Sequence, residues 1–297
     1  MATHITDDDV RSTLTYESLI PAMERALADY TAGKAVQPVR TTIPVGEHGG
    51  FLFVMPAFAS GALGAKLVTF FPKNVGIESH FATIQLFKPE TGEPLASMDG
   101  SLVTEMRTAA VSAVATDKLA RREASVLAIL GAGVQARSHL AALSHVRSFK
   151  EVRVFSPRSG AAFARTHGVI ASPNAESCVR GADVIVVATT SATPVLHGAW
   201  LADGAHINSV GAARPDWREL DDACVARATV FVDSRAGAEV ESGDVRAAGR
   251  IDAELGEVIL GKHPGRTSDA DVTWFKSLGM AVEDVVAADL VLKARGR

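Results

Sequence analysis

The sequence predicts an α/β protein in which a parallel sheet flanked by helices is inserted into a second, α+β domain. Three observations lead there. The middle of the chain alternates short runs of branched apolar residues with helical stretches. The first of those runs ends in a glycine-rich turn that opens a helix. The stretch before it reads as strands joined by turns, and the last stretch returns to it as a helix.

Residues 15–32 space Leu19, Ala22, Met23, Ala26, Leu27 and Tyr30 on one helical face, with Pro21 suited only to a first turn. Residues 39–45, 50–57, 63–70 and 81–87 read as strands. Thr91-Gly92-Glu93-Pro94 is a turn, residues 94–99 open the next segment, and the alanine-rich residues 104–119 are helical. The inserted stretch then predicts strands at 125–130, 151–155, 169–170, 184–189, 205–210 and 229–233, and helices through 143 and at 161–166. Residues 272–275 and the helical 279–292 are assigned to the first domain. The expected division is 1–117 plus 271–297 for one domain and 118–270 for the other.

Composition narrows the function classes. At 297 residues, with 47% apolar and 22% charged residues, the chain is an ordinary globular one of about two domains. A net charge of -4 gives no basic footprint for nucleic acid. No apolar run approaches the ~20 residues of a membrane span. The acidic start, Asp7-Asp8-Asp9, is unlike an export signal, so the expected location is cytoplasmic. Two cysteines, Cys178 and Cys224, are too few for a disulfide scaffold and read as buried thiols.

Gly131-Ala132-Gly133-Val134-Gln135-Ala136 is a G-x-G-x-x-A turn between a strand and a helix. Gly131 permits the tight turn, Gly133 lets a pyrophosphate approach the backbone, and Ala136 allows the helix to pack closely on the strand. The helix start then offers free N–H groups to phosphate. An acidic residue roughly 20 positions on would bind the ribose 2′-hydroxyl of NAD. This chain has Ser156-Pro157-Arg158-Ser159 there, so a 2′-phosphate meets an arginine fork and two hydroxyls. NADPH is the expected cofactor.

The chain resembles the ornithine cyclodeaminase/mu-crystallin family. The resemblance rests on residues 66–70 (KLVTF), 98–100 (MDG), 107–113 (RTAAVSA), 129–136 (ILGAGVQA), 204–208 (GAHIN), 214–222 (RPDWRELDD), 241–244 (ESGD), 254–258 (ELGEV) and 275–284 (FKSLGMAVED). It covers nearly the whole chain. It implies a Rossmann dinucleotide-binding domain inserted into a substrate and dimerisation domain, in a homodimer. It also implies an oxidoreductase acting on ketimines.

Arg40, Lys66 and Arg107 match the family's carboxylate clamp, with Lys66 and Arg107 also polarising the imine. Ser79, His80, Arg107 and Thr108 match positions at the cofactor, and His80 is a candidate proton donor. Thr189, Thr190, Val210 and Ser277 complete the expected cofactor contacts, with Gly131 to Gln135, Ser156, Arg158 and Ser159. Phe51, Phe53 and Met55 alternate along one strand as pocket walls or core, and Glu241 is a further lining candidate. No metal ligand is assigned.

Cyclodeaminases and the related alanine dehydrogenases carry an aspartate just before the proline after the fifth strand. This chain has Ala213 or its neighbour there, where an alanine cannot move a proton, and Asp216 reads as fixing the loop, with a displaced acid as the alternative. The resemblance therefore points to NADPH-dependent reduction of Δ1-pyrroline-2-carboxylate or Δ1-piperideine-2-carboxylate to L-proline or L-pipecolate. The alternatives are ornithine cyclodeamination, amino-acid dehydrogenation, and non-catalytic binding of NADPH and a small anion.

Overall fold

In the computed structural model, which describes residues 3–296, the chain forms two compact units. One comprises the residues up to Arg107 together with those from Gly279 onward; the other runs from Thr108 to Leu278.

The chain opens with a short strand, β1 (Thr3–Ile5), and a helix, α1 (Asp7–Thr13). A capping box starts α1: the Asp9 N–H donates to Thr6 Oγ1 at 3.3 Å and the Thr6 N–H to the Asp9 carboxylate at 3.0 Å. Helix α2 (Tyr16–Thr31) buries Leu19, Ala22, Met23, Ala26 and Leu27, the face its spacing predicts. Pro21 lies deeper than the first turn. It stands on the exposed face, and the helix continues past it.

Four strands then form an antiparallel meander: β2 (Thr41–Val45), β3 (Gly50–Ala59), β4 (Ala62–Phe70) and β5 (His80–Phe87). β6 (Pro94–Asp99) continues it, and β1 closes the edge parallel to β6, giving the order β1-β6-β5-β4-β3-β2. Helix α3 (Ser101–Leu119) follows and carries the chain into the second unit.

The second unit contains β7 (Val126–Leu130), α4 (Val134–Leu143), β8 (Glu151–Phe155), α5 (Gly160–His167), β9 (Ile170–Ala171), α6 (Ala175–Val179) and β10 (Val184–Val187). β11 (His206–Ser209), α7 (Asp222–Arg227), β12 (Ala228–Val232), α8 (Arg235–Glu241), α9 (Gly243–Ala248), β13 (Ala253–Glu254), α10 (Leu255–Ile259) and β14 (Val272–Lys276) complete it. All eight strands are parallel, in the order β13-β12-β14-β11-β10-β7-β8-β9. The run β9-β8-β7-β10-β11 has the strand order of a Rossmann sheet, reversing between β7 and β10. Ile185, Val187, Ile207, Val230 and Trp274 sit in its core, with no exposed face.

β14 corrects the sequence reading, which placed residues 272–275 in the first domain. Its residues are all buried and pair with β11 on one side and β12 on the other, so it is a central strand of the parallel sheet. An apolar run alone does not say which sheet it will join. The return to the first unit begins at Gly279, not at 271, and the outward border lies at Arg107/Thr108 rather than at 117/118, inside α3.

The chain ends in α11 (Ala281–Ala294), apolar on nearly all sides and buried. It packs on α2, β3, β4 and β5 in the first unit. Alternation on those strands sends Met55, Ile84, Leu86 and Met98 to the buried side. The opposite side carries Ile43, Phe58, Leu67 and Phe81, each exposed. Among the described residues no helix is long and apolar enough to cross a membrane.

Candidate active site

Cross-strand register places Met55, Lys66, Ile84 and Met98 in one buried row over β3, β4, β5 and β6. Lys66 is thus a cation in a core position, 1% exposed. Its Nζ lies 2.6 Å from Asp284 Oδ2 and donates to Thr104 Oγ1 at 3.4 Å. Arg107 reaches the same carboxylate from α3: its Nε donates to Asp284 Oδ1 at 2.9 Å and its Nη1 to Glu283 Oε2 at 2.8 Å. Glu283 also accepts from the Met280 N–H at 3.2 Å. Both acids lie in the first turn of α11, where the helix dipole favours negative charge.

Arg40 joins this group through Nη2, which donates to the Gly279 carbonyl at 2.9 Å. The predicted clamp residues Arg40, Lys66 and Arg107 are therefore brought together in one unit, with Met55 beside Lys66 in the register. Burial, followed by the positive charge of Arg107 and Arg40, works against the Lys66 charge, while Asp284 supports it. The net effect lowers the Lys66 pKa to about 8. Lys66 and Arg107 thus share the Asp284 carboxylate, with Arg40 close enough to oppose the Lys66 charge.

His80 is not brought to Lys66. It opens β5, four residues before Ile84, the cross-strand neighbour of Lys66, which at a rise of ~3.3 Å per residue is ~13 Å along the strand. Its ring stacks on Phe70 at 4.3 Å, and its Nδ1 is 3.0 Å from Ser79 Oγ. Partial burial lowers its pKa. Phe51 and Phe53 stack at 6.1 Å on the same side of β3 as Met55. Glu241 lies in the second unit, at the end of α8.

In that second unit the predicted cofactor residues share the carboxyl ends of the parallel strands. Gly131 to Gln135 follow β7; Ser156, Arg158 and Ser159 follow β8; Thr189 and Thr190 follow β10; Val210 follows β11; and Ser277 follows β14. Thr108 lies within α3 and is buried. Gly131 has φ +111°, and a Cβ there would lie 2.2 Å from the Ala188 carbonyl oxygen. Gly133, the residue before α4, has open space where its side chain would be. The first N–H groups of α4 lack intrahelical acceptors. The buried Gln135 Oε1 and Ser277 Oγ have no protein partner, as polar atoms awaiting a ligand would. Ser156 Oγ and Ser159 Oγ are 3.1 Å apart, beside the exposed Arg158. This edge fits a dinucleotide.

A buried ionic network braces the loops at that edge. Glu219 Oε1 accepts from the Thr189 N–H at 2.9 Å and from Thr189 Oγ1 at 2.7 Å. Asp244 accepts from the Glu219 and Leu220 N–H groups at 3.0 and 3.1 Å. Lys276 Nζ donates to the Gly211 carbonyl and lies 3.8 Å from Asp244. Burial raises the Glu219 pKa to about 7, against the pull of Lys276 and Thr189.

A model of the ornithine cyclodeaminase/mu-crystallin family matches residues 3–295. The chain belongs to the ornithine cyclodeaminase/mu-crystallin family. Ketimine reductase mu-crystallin of Mus musculus is 50% identical over 285 residues, covering 92% of this chain and 90% of that protein. The structure of Thermococcus litoralis Δ1-pyrroline-2-carboxylate reductase, in complex with NADH and L-proline, superposes with a TM-score of 0.94. It is 37% identical and covers 98% of this chain and 97% of that one. An archaeal alanine dehydrogenase dimer with bound NAD gives a TM-score of 0.93 at 34% identity, over 99% and 95% of the two chains. Family membership and the Rossmann sheet together make this a nicotinamide-dinucleotide protein.

Within the family frame, the sequence reading missed Glu283, Asp284 and Thr104 in the first unit, and Glu219, Asp244 and Lys276 in the second. Glu283 and Asp284 close the 275–284 stretch that carried part of the resemblance, yet nothing in a helical acid pair announces burial. Two adjacent acids in the mostly apolar 279–292 run were the available signal.

Proposed function

We propose that this protein reduces cyclic ketimine carboxylates, Δ1-pyrroline-2-carboxylate and Δ1-piperideine-2-carboxylate, to L-proline and L-pipecolate with NADPH. The group of Arg40, Lys66 and Arg107, in which Lys66 and Arg107 are buried against Glu283 and Asp284, carries the reading. A planar imino acid offers such a group one carboxylate, read by the arginine fork and the lysine ammonium. Held there, the ring is fixed in one orientation. The dinucleotide supplies the hydride, and a cyclic ketimine enters already protonated from solution. The 50% identity to a ketimine reductase supports the same substrate class.

Two further points favour reduction over cyclodeamination. Ala213, which with its neighbour is where the resemblance puts the cyclodeaminase aspartate, is an exposed alanine. Asp216, the nearby acid, is exposed and held by Arg214 Nε at 3.1 Å, which lowers its pKa. For the cofactor, the Thermococcus relative was solved with NADH, whereas the loop after β8 here presents Arg158 with two serines and no carboxylate. That chemistry favours the 2′-phosphate of NADPH. The exposed apolar face of Ile43, Phe58, Leu67 and Phe81 supports a homodimer.

The test is direct. NADPH and each cyclic ketimine are mixed with the protein, and nicotinamide absorbance is followed. Consumption matched by proline or pipecolate formation is the expected result. Failure with both imines, or turnover only with ornithine or with pyruvate and ammonia, overturns the proposal.

A further inference from the structure

We propose that Asp284 is a positioning residue of this site, holding Lys66 and Arg107 on its two carboxylate oxygens and keeping Lys66 in the cationic state that can hold a ligand carboxylate. The inference deepens the proposed function and rests on it for the identity of the natural ligand. The geometry is shared by two elements distant in sequence. Asp284 Oδ2 is 2.6 Å from Lys66 Nζ, and Oδ1 accepts from Arg107 Nε at 2.9 Å. All three side chains are buried, so neither cation can turn to bulk water for a counter-ion.

The charged groups facing Lys66 are Asp284 of α11, Arg107 of α3, and Arg40 from the segment before β2. Its cross-strand neighbours, Met55 and Ile84, carry no charge. Of the three charged groups, only Asp284 favours the ammonium; burial and both arginines oppose it. Glu283 acts on Arg107 instead, at 2.8 Å. The Lys66 pKa of about 8 places its titration close above neutrality. Loss of Asp284 therefore moves that titration downward, and the site loses its anion affinity at a lower pH.

The experiment measures binding rather than turnover. Pyrrole-2-carboxylate, a planar ring carboxylate that has no imine to reduce, is titrated calorimetrically into the full-length protein with NADP+ present, from neutral to alkaline pH. For the unaltered protein, affinity is expected to fall about tenfold per pH unit above the Lys66 pKa of about 8. In Asp284→Asn the fall begins at least about one pH unit lower, and Asp284→Glu restores most of the difference. A merely structural role would lower affinity equally at every pH. Lys66→Arg, which stays charged throughout, serves if Asp284→Asn does not fold; it is expected to abolish the alkaline fall.

An unchanged onset in Asp284→Asn, a persistent fall in Lys66→Arg, or no binding to the unaltered protein at any pH overturns the inference. The outcomes separate the two claims. The expected binding profile without imine turnover defeats the proposed function alone. Imine turnover with an onset that Asp284→Asn leaves in place defeats this inference alone.

Discussion

Gly279 and Arg107 stand so close that a Cβ on the glycine would lie 2.4 Å from Arg107 Nη1. The backbone there has φ +81°, a left-handed conformation that glycine adopts without strain. Its carbonyl also accepts from Arg40 Nη2. One residue without a side chain thus seats two members of the cationic group. Gly279→Ala is expected to displace the Arg107 guanidinium and raise KM for the imine carboxylate about 10- to 100-fold, the loss of a charge-assisted hydrogen bond. Steady-state kinetics with the imine varied will show it; an unchanged KM would mean that Arg107 does not hold the carboxylate.

Gly131 makes the same kind of approach in the second unit. Its φ of +111° and the Ala188 oxygen, 2.2 Å from where a Cβ would stand, exclude any side chain. Gly131→Ala is expected to push the turn away from β10 and weaken NADPH binding by at least about 100-fold, more than ~2 kcal/mol. Fluorescence titration with NADPH reads the loss, and circular dichroism checks that the sheet persists.

Arg158 is the residue on which the cofactor preference rests. Arg158→Ala is expected to weaken NADPH about 10-fold while leaving NADH within about twofold, because only the former carries the 2′-phosphate. Combining it with Ser156→Asp should reverse the preference. Dissociation constants for both dinucleotides decide the matter, and equal losses for the two would assign Arg158 to the general surface.

Glu219 gives a pH dependence of stability. Its pKa in the folded chain is raised from 4.5 to about 7 by burial. The stability it contributes is whole below about 4.5 and is lost as pH rises through about 7. That gap corresponds to about 3 kcal/mol. Glu219→Gln retains an acceptor for Thr189 and carries no charge. It is expected to be more stable than the parent above pH 7, with the difference disappearing toward pH 4.5. Denaturant unfolding at the two ends of that window tests it.

Leu67 and Phe81 lie on the apolar, solvent-facing side of the six-stranded sheet. Leu67→Glu is expected to halve the solution mass by charging the proposed subunit interface. Light scattering after size exclusion measures this, and a parent protein that is already monomeric would refute the dimer.

Much of the architecture was legible from local pattern. The β7–turn–α4 unit follows from SVLAIL running into Gly131-Ala132-Gly133, because turn chemistry and helix capping are local. The meander from β2 to β6 follows from period-two alternation and its turns. Arg40, Lys66 and Arg107 were recognisable as a group only through resemblance, and their companions were not recognisable at all. β1, with three residues, is too short for any periodic signal.

The amino-acid sequence by itself determined the fold class, the dinucleotide turn and the family, because each resides in short-range pattern or in matched motifs along nearly the whole chain. Only the tertiary structure decided that β14 lies between β11 and β12 and that Lys66 occupies a core row. It also decided that Asp284, far along the chain, neutralises it. Those outcomes depend on which surfaces meet, and burial of a charge is set by the partner that arrives from elsewhere in the chain.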